Sequence, residues 1–408
     1  MGEYVVRCVS DGSVQPPYSL GCPKDNSLLR AEYKARRLET ASLSGIWRFQ
    51  SWLPVQGIIA GAGAAPVTYK SQGLGRELGL ENLFISFNGY WPERGARMPT
   101  GSFKDLEAAP TMQRHREQFS DQAGRRSLVV ASAGNTARAF AQVASQIGLP
   151  LLLFVPQKAL ERMWTTVPPG AVTLVAVDGD YCDAIDMAEK ALTLPGFVPE
   201  GGARNIARRD GMGTVMLDAT LHIKRIPEHY FQAVGSGTGG IAAWEAAMRL
   251  KEDGRFGSNL PRLQLAQNIP NAPLYFAWKC QEPEACCSNM FDDVLFNRRP
   301  PFAVPGGVRD ALQATLGEVY GITDDEALEG KRLFEESEEI DILNAPGVAV
   351  AALQQAVKNG SVLSDEIILL NITGGGLARI REDGTLYRLV PDITVSRWED
   401  AVQFLESR

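Results

Sequence analysis

The feature that most constrains this chain is a repeated order of short apolar runs and amphipathic segments. Ser127–Ser132, Leu151–Val155 and Val172–Val177 are uninterrupted apolar runs of the kind found in strands buried on both faces. Between and after them, Phe140, Val143, Ala144 and Ile147, and then Asp183–Leu192, show helical spacing. Further runs at Asn82–Phe87, Phe231–Val234, Leu263–Gln267 and Ile367–Asn371 continue the pattern, with helices predicted over Asp105–Gln118, Thr323–Glu336 and Val348–Asn359. Strands that alternate with helices of this length predict an α/β fold: parallel sheets with helices on both faces. At 408 residues two or more domains are expected. The divisions read from the sequence are a small N-terminal appendage over 1–45, a large unit from 46–108 and 203–408, and a smaller α/β unit over 109–202.

Composition narrows the function classes. A net charge of −7 argues against a nucleic-acid surface or a polybasic membrane contact. No stretch approaches the roughly 20 apolar residues that span a bilayer, and Met1–Ser19 has no apolar core resembling a signal peptide, so a cytoplasmic protein is expected. The 6 cysteines are too sparse for a disulfide scaffold, and Cys286 and Cys287, though adjacent, have no CxxC partner. Cys8 and Cys22 sit in turn-rich surroundings, as two ligands of a zinc ribbon would, but the other two ligands are missing; a metal-free relic is expected. The only histidines, His115, His222 and His229, lack zinc-ligand spacing, which argues against a metal hydrolase or a histidine triad. Acid–base chemistry would fall to lysine or a carboxylate.

In open parallel sheets, ligands bind beyond the carboxyl ends of strands. Four loops stand where such a site would form: Pro99-Thr-Gly-Ser-Phe-Lys104, Ser132-Ala-Gly-Asn-Thr136, Gly235-Ser-Gly-Thr-Gly-Gly240 and Thr373-Gly-Gly-Gly376. Lys104 starts a predicted helix, where the dipole disfavours a cation, so either covalent use of the amine or simple solvation must compensate. The 235–240 loop matches G-x-G-x-x-G, yet the next strand ends in Gln267-Asn268 with no carboxylate for a ribose. A phosphate cradle built from backbone N–H groups, Ser236, Thr238 and a helix N-terminus fits better; a glycine turn needed only for packing is the alternative. A cradled phosphate monoester plus an imine-forming lysine is what pyridoxal phosphate requires. Asn135 would then bond the ring's phenolic oxygen and Thr373 the ring nitrogen, unless they serve only as a helix cap and a turn hydroxyl.

With these motifs in this order, the chain resembles threonine synthase and its fold-type-II, tryptophan synthase β-like relatives, from about Pro66 to Gly376. The resemblance implies pyridoxal 5'-phosphate as cofactor, with Lys104 as its Schiff-base lysine. Asn135, Gly235, Ser236, Gly237, Thr238, Gly239 and Thr373 would bind the cofactor, and Ser132, Ala133, Gly134 and Thr136 the substrate. Three departures stand out: Asp105-Leu-Glu-Ala follows the lysine in place of Asp-Arg-Gly, Gly213 replaces a lysine, and an extra segment carries Arg94 and Arg97. With Pro110-Thr-Met-Gln-Arg114, these look like the cysteate-synthase branch, which implies O-phospho-L-serine and sulfite as substrates and L-cysteate and phosphate as products. Both the leaving group and the nucleophile are anionic, so Arg94, Arg97, Arg208 and Arg209 are the expected oxyanion ligands. The family also implies a homo-oligomer. The rivals are a threonine synthase acting on O-phosphohomoserine with water, and a non-catalytic dinucleotide-binding protein.

Overall fold

The computed structural model describes residues 3–62, 64–120, 126–282, 291–297 and 299–407; Cys286 and Cys287 lie outside them. Two parallel-type sheets organise the chain. The larger has six strands in the spatial order Glu318–Ile322, Arg262–Asn268, His229–Ala233, Ile368–Ile372, Leu83–Phe87 and Val67–Lys70. All neighbours are parallel except the last pair, where the edge strand Val67–Lys70 runs antiparallel to Leu83–Phe87. The second sheet has five parallel strands, in the order Phe197–Pro199, Ser127–Ala131, Leu151–Pro156, Val172–Val177 and Ile393–Val395.

The inner strands are those whose sequences are apolar without alternation. Leu151–Pro156 and Ile368–Ile372 are buried at every residue, as strands covered by helices on both faces must be. The expected boundaries hold to within a few residues. The missed strands are short or at edges: Val67–Lys70, Phe197–Pro199, Glu318–Ile322 and Ile393–Val395. One of them corrects the expected division of the chain. Residues after 203 were all assigned to the larger unit, yet Ile393–Val395 pairs with Val175–Val177 and the helix Trp398–Glu406 packs beside it.

Two helices between the sheets place the site. Lys104–Gln118 is buried from Asp105 to His115 and carries Pro110 in its interior. Proline cannot donate to the carbonyl four residues back, so the Leu106 carbonyl loses its helical partner. The helix Ile206–Ile223 approaches that carbonyl through Gly211, where an added Cβ would lie 2.1 Å from the Leu106 oxygen. That close crossing sets Arg208, one turn earlier, opposite Glu107. At the N-terminus, the strands Tyr4–Cys8, Val14–Gln15 and Leu29–Tyr33 form a small antiparallel sheet against this core.

Candidate active site

The lysine loop is stitched directly to the glycine loop at 373–376. Phe103 N–H donates to the Thr373 carbonyl at 3.1 Å, and Gly375 N–H to that of Gly101 at 3.0 Å. Gly101 has φ +65°, and a Cβ there would sit 2.6 Å from Leu377, so only glycine admits the turn. Asp105 accepts from the Thr100 N–H at 2.9 Å and from its hydroxyl at 2.8 Å, locking the turn before the helix. Burial pushes the Asp105 carboxyl up to about 7, against the effect of these bonds. A third loop joins through Arg138, buried, whose guanidinium donates to the Thr100 carbonyl at 2.7 Å and to Asn135 Oδ1 at 3.1 Å.

These contacts bring the four loops around one cavity. It is lined by Lys104, by Ser132 to Thr136, by Gly235 to Gly239 and by Thr373. Burial lowers the Lys104 pKa; Glu107 opposes the shift, its carboxylate accepting from Nζ at 3.2 Å. Glu107 is fully buried and also accepts from Thr136 Oγ1 at 3.0 Å and from Arg208, 3.0 Å from Nε. Arg208 in turn donates to Glu200 at 2.7 Å. Burial raises the Glu200 pKa, and its second oxygen, Oε1, has no hydrogen-bond partner among the described residues. Tyr181, whose hydroxyl burial also raises, completes this wall.

The opposite wall is the cradle Gly235–Gly239 at the start of the helix Thr238–Asp253. Each glycine is sterically required. An added Cβ would fall 2.9 Å from the Val294 carbonyl at Gly235, 2.4 Å from Val308 at Gly237 and 2.3 Å from the Gln232 amide at Gly239. Gly237 also has φ +78°. Ser236 Oγ and Thr238 Oγ1 meet at 2.7 Å. Gln267, where a dinucleotide site would place an acid, instead braces the cradle by donating to the Val234 and Gly235 carbonyls at 3.2 and 3.0 Å.

Three of the expected arginines do not reach the cavity. Arg94 is exposed, its guanidinium 4.1 Å from the Tyr69 ring centroid and 4.5 Å from that of Trp91. Arg97 is exposed on the same hairpin. Arg209 is fully buried and bonds Glu245 at 2.9 Å, tying the N-terminal sheet to the core. Arg208 does line the cavity, but its guanidinium is occupied by two carboxylates. Gly213 lies elsewhere too, in the crossing of two helices, where a Cβ would meet the Ala242 carbonyl at 3.1 Å. The sequence reading passed over Glu107, Glu200, Tyr181 and Arg138. Glu107 was visible as a departure after the lysine; the other three carry no local signal.

Residues 66–374 match the family model described as pyridoxal-phosphate dependent enzyme. Over 398 residues the chain is 56% identical to a cysteate synthase of Methanococcoides burtonii, covering 97% of this chain and 94% of that protein. It is 55% identical to a cysteate synthase of Methanothrix thermoacetophila over 415 residues, 100% of this chain and 99% of the relative. Among solved structures, threonine synthase from Escherichia coli superposes with a TM-score of 0.65 over 98% of this chain and 99% of that one. At 14% identity that likeness concerns the fold alone.

Proposed function

The chain belongs to the pyridoxal-phosphate-dependent enzymes and, within them, to the cysteate synthases, and on that premise we propose that it converts O-phospho-L-serine and sulfite to L-cysteate and phosphate. The observation that carries the reading is the convergence, in one cavity, of a half-buried lysine of lowered pKa with a glycine loop at a helix N-terminus.

The residues present fit the cofactor. A phosphate suits a loop of backbone N–H groups at the start of the helix Thr238–Asp253 with the Ser236 and Thr238 hydroxyls beside it, and an amine of lowered pKa suits imine formation. Gly235 to Gly239, Ser236 and Thr238 would hold the phosphate, Asn135 the phenolic oxygen and Thr373 the ring nitrogen. Bound there, pyridoxal phosphate supplies an electron sink for charge developing at the substrate Cα. A hydroxyl at Thr373, in place of a carboxylate, leaves the ring nitrogen unprotonated, which suits β-replacement over transamination.

Lys104 Nζ takes the Cα proton and later returns it. The N–H groups at the start of the helix Asn135–Ile147 hold the substrate α-carboxylate. The Cβ–O bond breaks to release phosphate, and a C–S bond to sulfite forms at the same carbon. Glu107 holds Lys104 and Thr136 in a fixed relation throughout. Arg208 acts through Glu107, since both its carboxylate partners are in place before any substrate arrives.

One assay decides among the enzymes. Purified protein with phosphoserine and sulfite should release phosphate and form cysteate; phosphate release from phosphohomoserine with threonine formed, and none from phosphoserine, would overturn the reading in favour of a threonine synthase. Lys104→Ala should remove both turnover and the imine absorbance, and a retained imine band would refute its role.

A further inference from the structure

The N-terminal sheet carries one loop twice. Cys8-Val-Ser-Asp11-Gly12-Ser13 and Cys22-Pro-Lys-Asp25-Asn26-Ser27 share a pattern of Cys, then Asp three residues on, then Gly or Asn, then Ser. The folded geometry repeats as well. Cys8 N–H donates to the Ser13 carbonyl at 2.9 Å and Cys22 N–H to that of Ser27 at 3.0 Å. Gly12 N–H returns to the Cys8 carbonyl at 3.0 Å and Asn26 N–H to that of Cys22 at 2.9 Å. Both turning residues are left-handed, with φ 68° at Gly12 and 63° at Asn26. The two loops face each other, joined by a contact of 2.6 Å between Ser10 Oγ and Ser27 Oγ.

What they enclose is a set of metal-ligating atoms. Cys8 Sγ, Cys22 Sγ and an Asp11 carboxylate oxygen all lie within 4.8 Å of one another, with both cysteines buried. Counting cysteines alone made this loop pair look like half a site; a third ligand stands at Asp11, three residues after Cys8, while Asp25, at the matching place after Cys22, accepts from the Ser27 N–H at 3.1 Å.

We propose that Cys8, Asp11 and Cys22 bind one divalent cation of the borderline-soft class, zinc being the type. Two thiolates and one carboxylate are donors such a cation accepts, and both sulfurs are buried, away from the cavity around Lys104. Asp11 Oδ1 accepts from the Ser13 N–H at 2.9 Å and from its hydroxyl at 2.6 Å; Lys24, 2.6 Å from Oδ2, is mostly exposed and swings into solvent at little cost. Binding would staple the N-terminal sheet to the core, because Asn26 accepts from Arg204 at 3.0 Å, in the segment that leads to Glu200 and Arg208.

The test uses the full-length holoenzyme. Its metal content should be about one zinc per chain by elemental analysis. After chelation, cobalt(II) should be taken up with a thiolate-to-metal charge-transfer band that zinc abolishes. Cys8→Ser with Cys22→Ser should lose that band, and Asp11→Asn should keep it with weakened uptake. Absent metal with no cobalt band in the native chain overturns the proposal, and so does an undiminished band in the double serine variant or a Cys8–Cys22 disulfide in the unreduced protein. Should the serine variant fail to fold, the cobalt titration of the native chain decides alone.

Discussion

Lys104, Glu107, Arg208 and Glu200 form a row of alternating charge, bonded end to end, with both carboxylates buried. Breaking such a row at one member leaves a buried partner uncompensated, so its members act as a unit. Glu107 opposes the burial that lowers the Lys104 pKa. Glu107→Gln should therefore move the limb of the kcat/KM profile that reports the lysine to lower pH, and should reduce kcat by about 10²-fold as Thr136 and Arg208 lose their partner. An unchanged pH profile would show that Glu107 does no more than pack. Asp105 gives a second titration. Its carboxyl is protonated up to about pH 7 in the fold, well above its unfolded value. The folded state thus binds the extra proton, and its stability falls as pH rises from about 4 to about 7. Urea unfolding of the cofactor-free chain across that range should show the fall, and Asp105→Asn should flatten it.

At the scale of elements, the site depends on how closely backbone can approach backbone. Gly239 abuts the Gln232 amide, which is pinned in turn by Tyr230 Oη at 2.7 Å and Asn371 Nδ2 at 3.3 Å. Gly239→Ala cannot be absorbed by rotating a free side chain, because that amide belongs to a buried polar cluster on the central strands. The expected outcome is a lower Tm together with cofactor affinity weakened by about tenfold or more, read by imine absorbance during dialysis. Unchanged affinity would remove the cradle from the cofactor site. The crossing at Leu106 and Gly211 works by the same means, with Pro110 opening the helix to its neighbour. The alternation of strands and helices, the lysine and the glycine loops were all legible because each is a local property. The Arg208–Glu107 pairing was not, because the two residues are 101 apart in sequence and meet only where two helices cross.

Across the whole molecule, the chain visits the five-stranded sheet twice. Its last strand, Ile393–Val395, covers the edge at Val175–Val177, and the helix Trp398–Glu406 closes the same apolar cluster. Removing residues 387–408 should lower Tm and loosen the substrate loop at 132–136, which grows from that sheet, raising KM more than it reduces cofactor content. Equal loss of both would mean that the two sheets do not fold separately. By itself the sequence determined the α/β class and singled out Lys104, the glycine loop at 235–240 and the loop at 132–136, which the fold brings around one cavity, because glycine, charge and apolar runs act over a few residues. Only the tertiary structure decided which arginine enters the cavity. Charge on a loop says nothing of direction: Arg94 turned onto Tyr69 and Trp91, and Arg97 to solvent. Arg208 came inward because Gly211 lets its helix sit against the lysine helix, where two buried carboxylates required a cation.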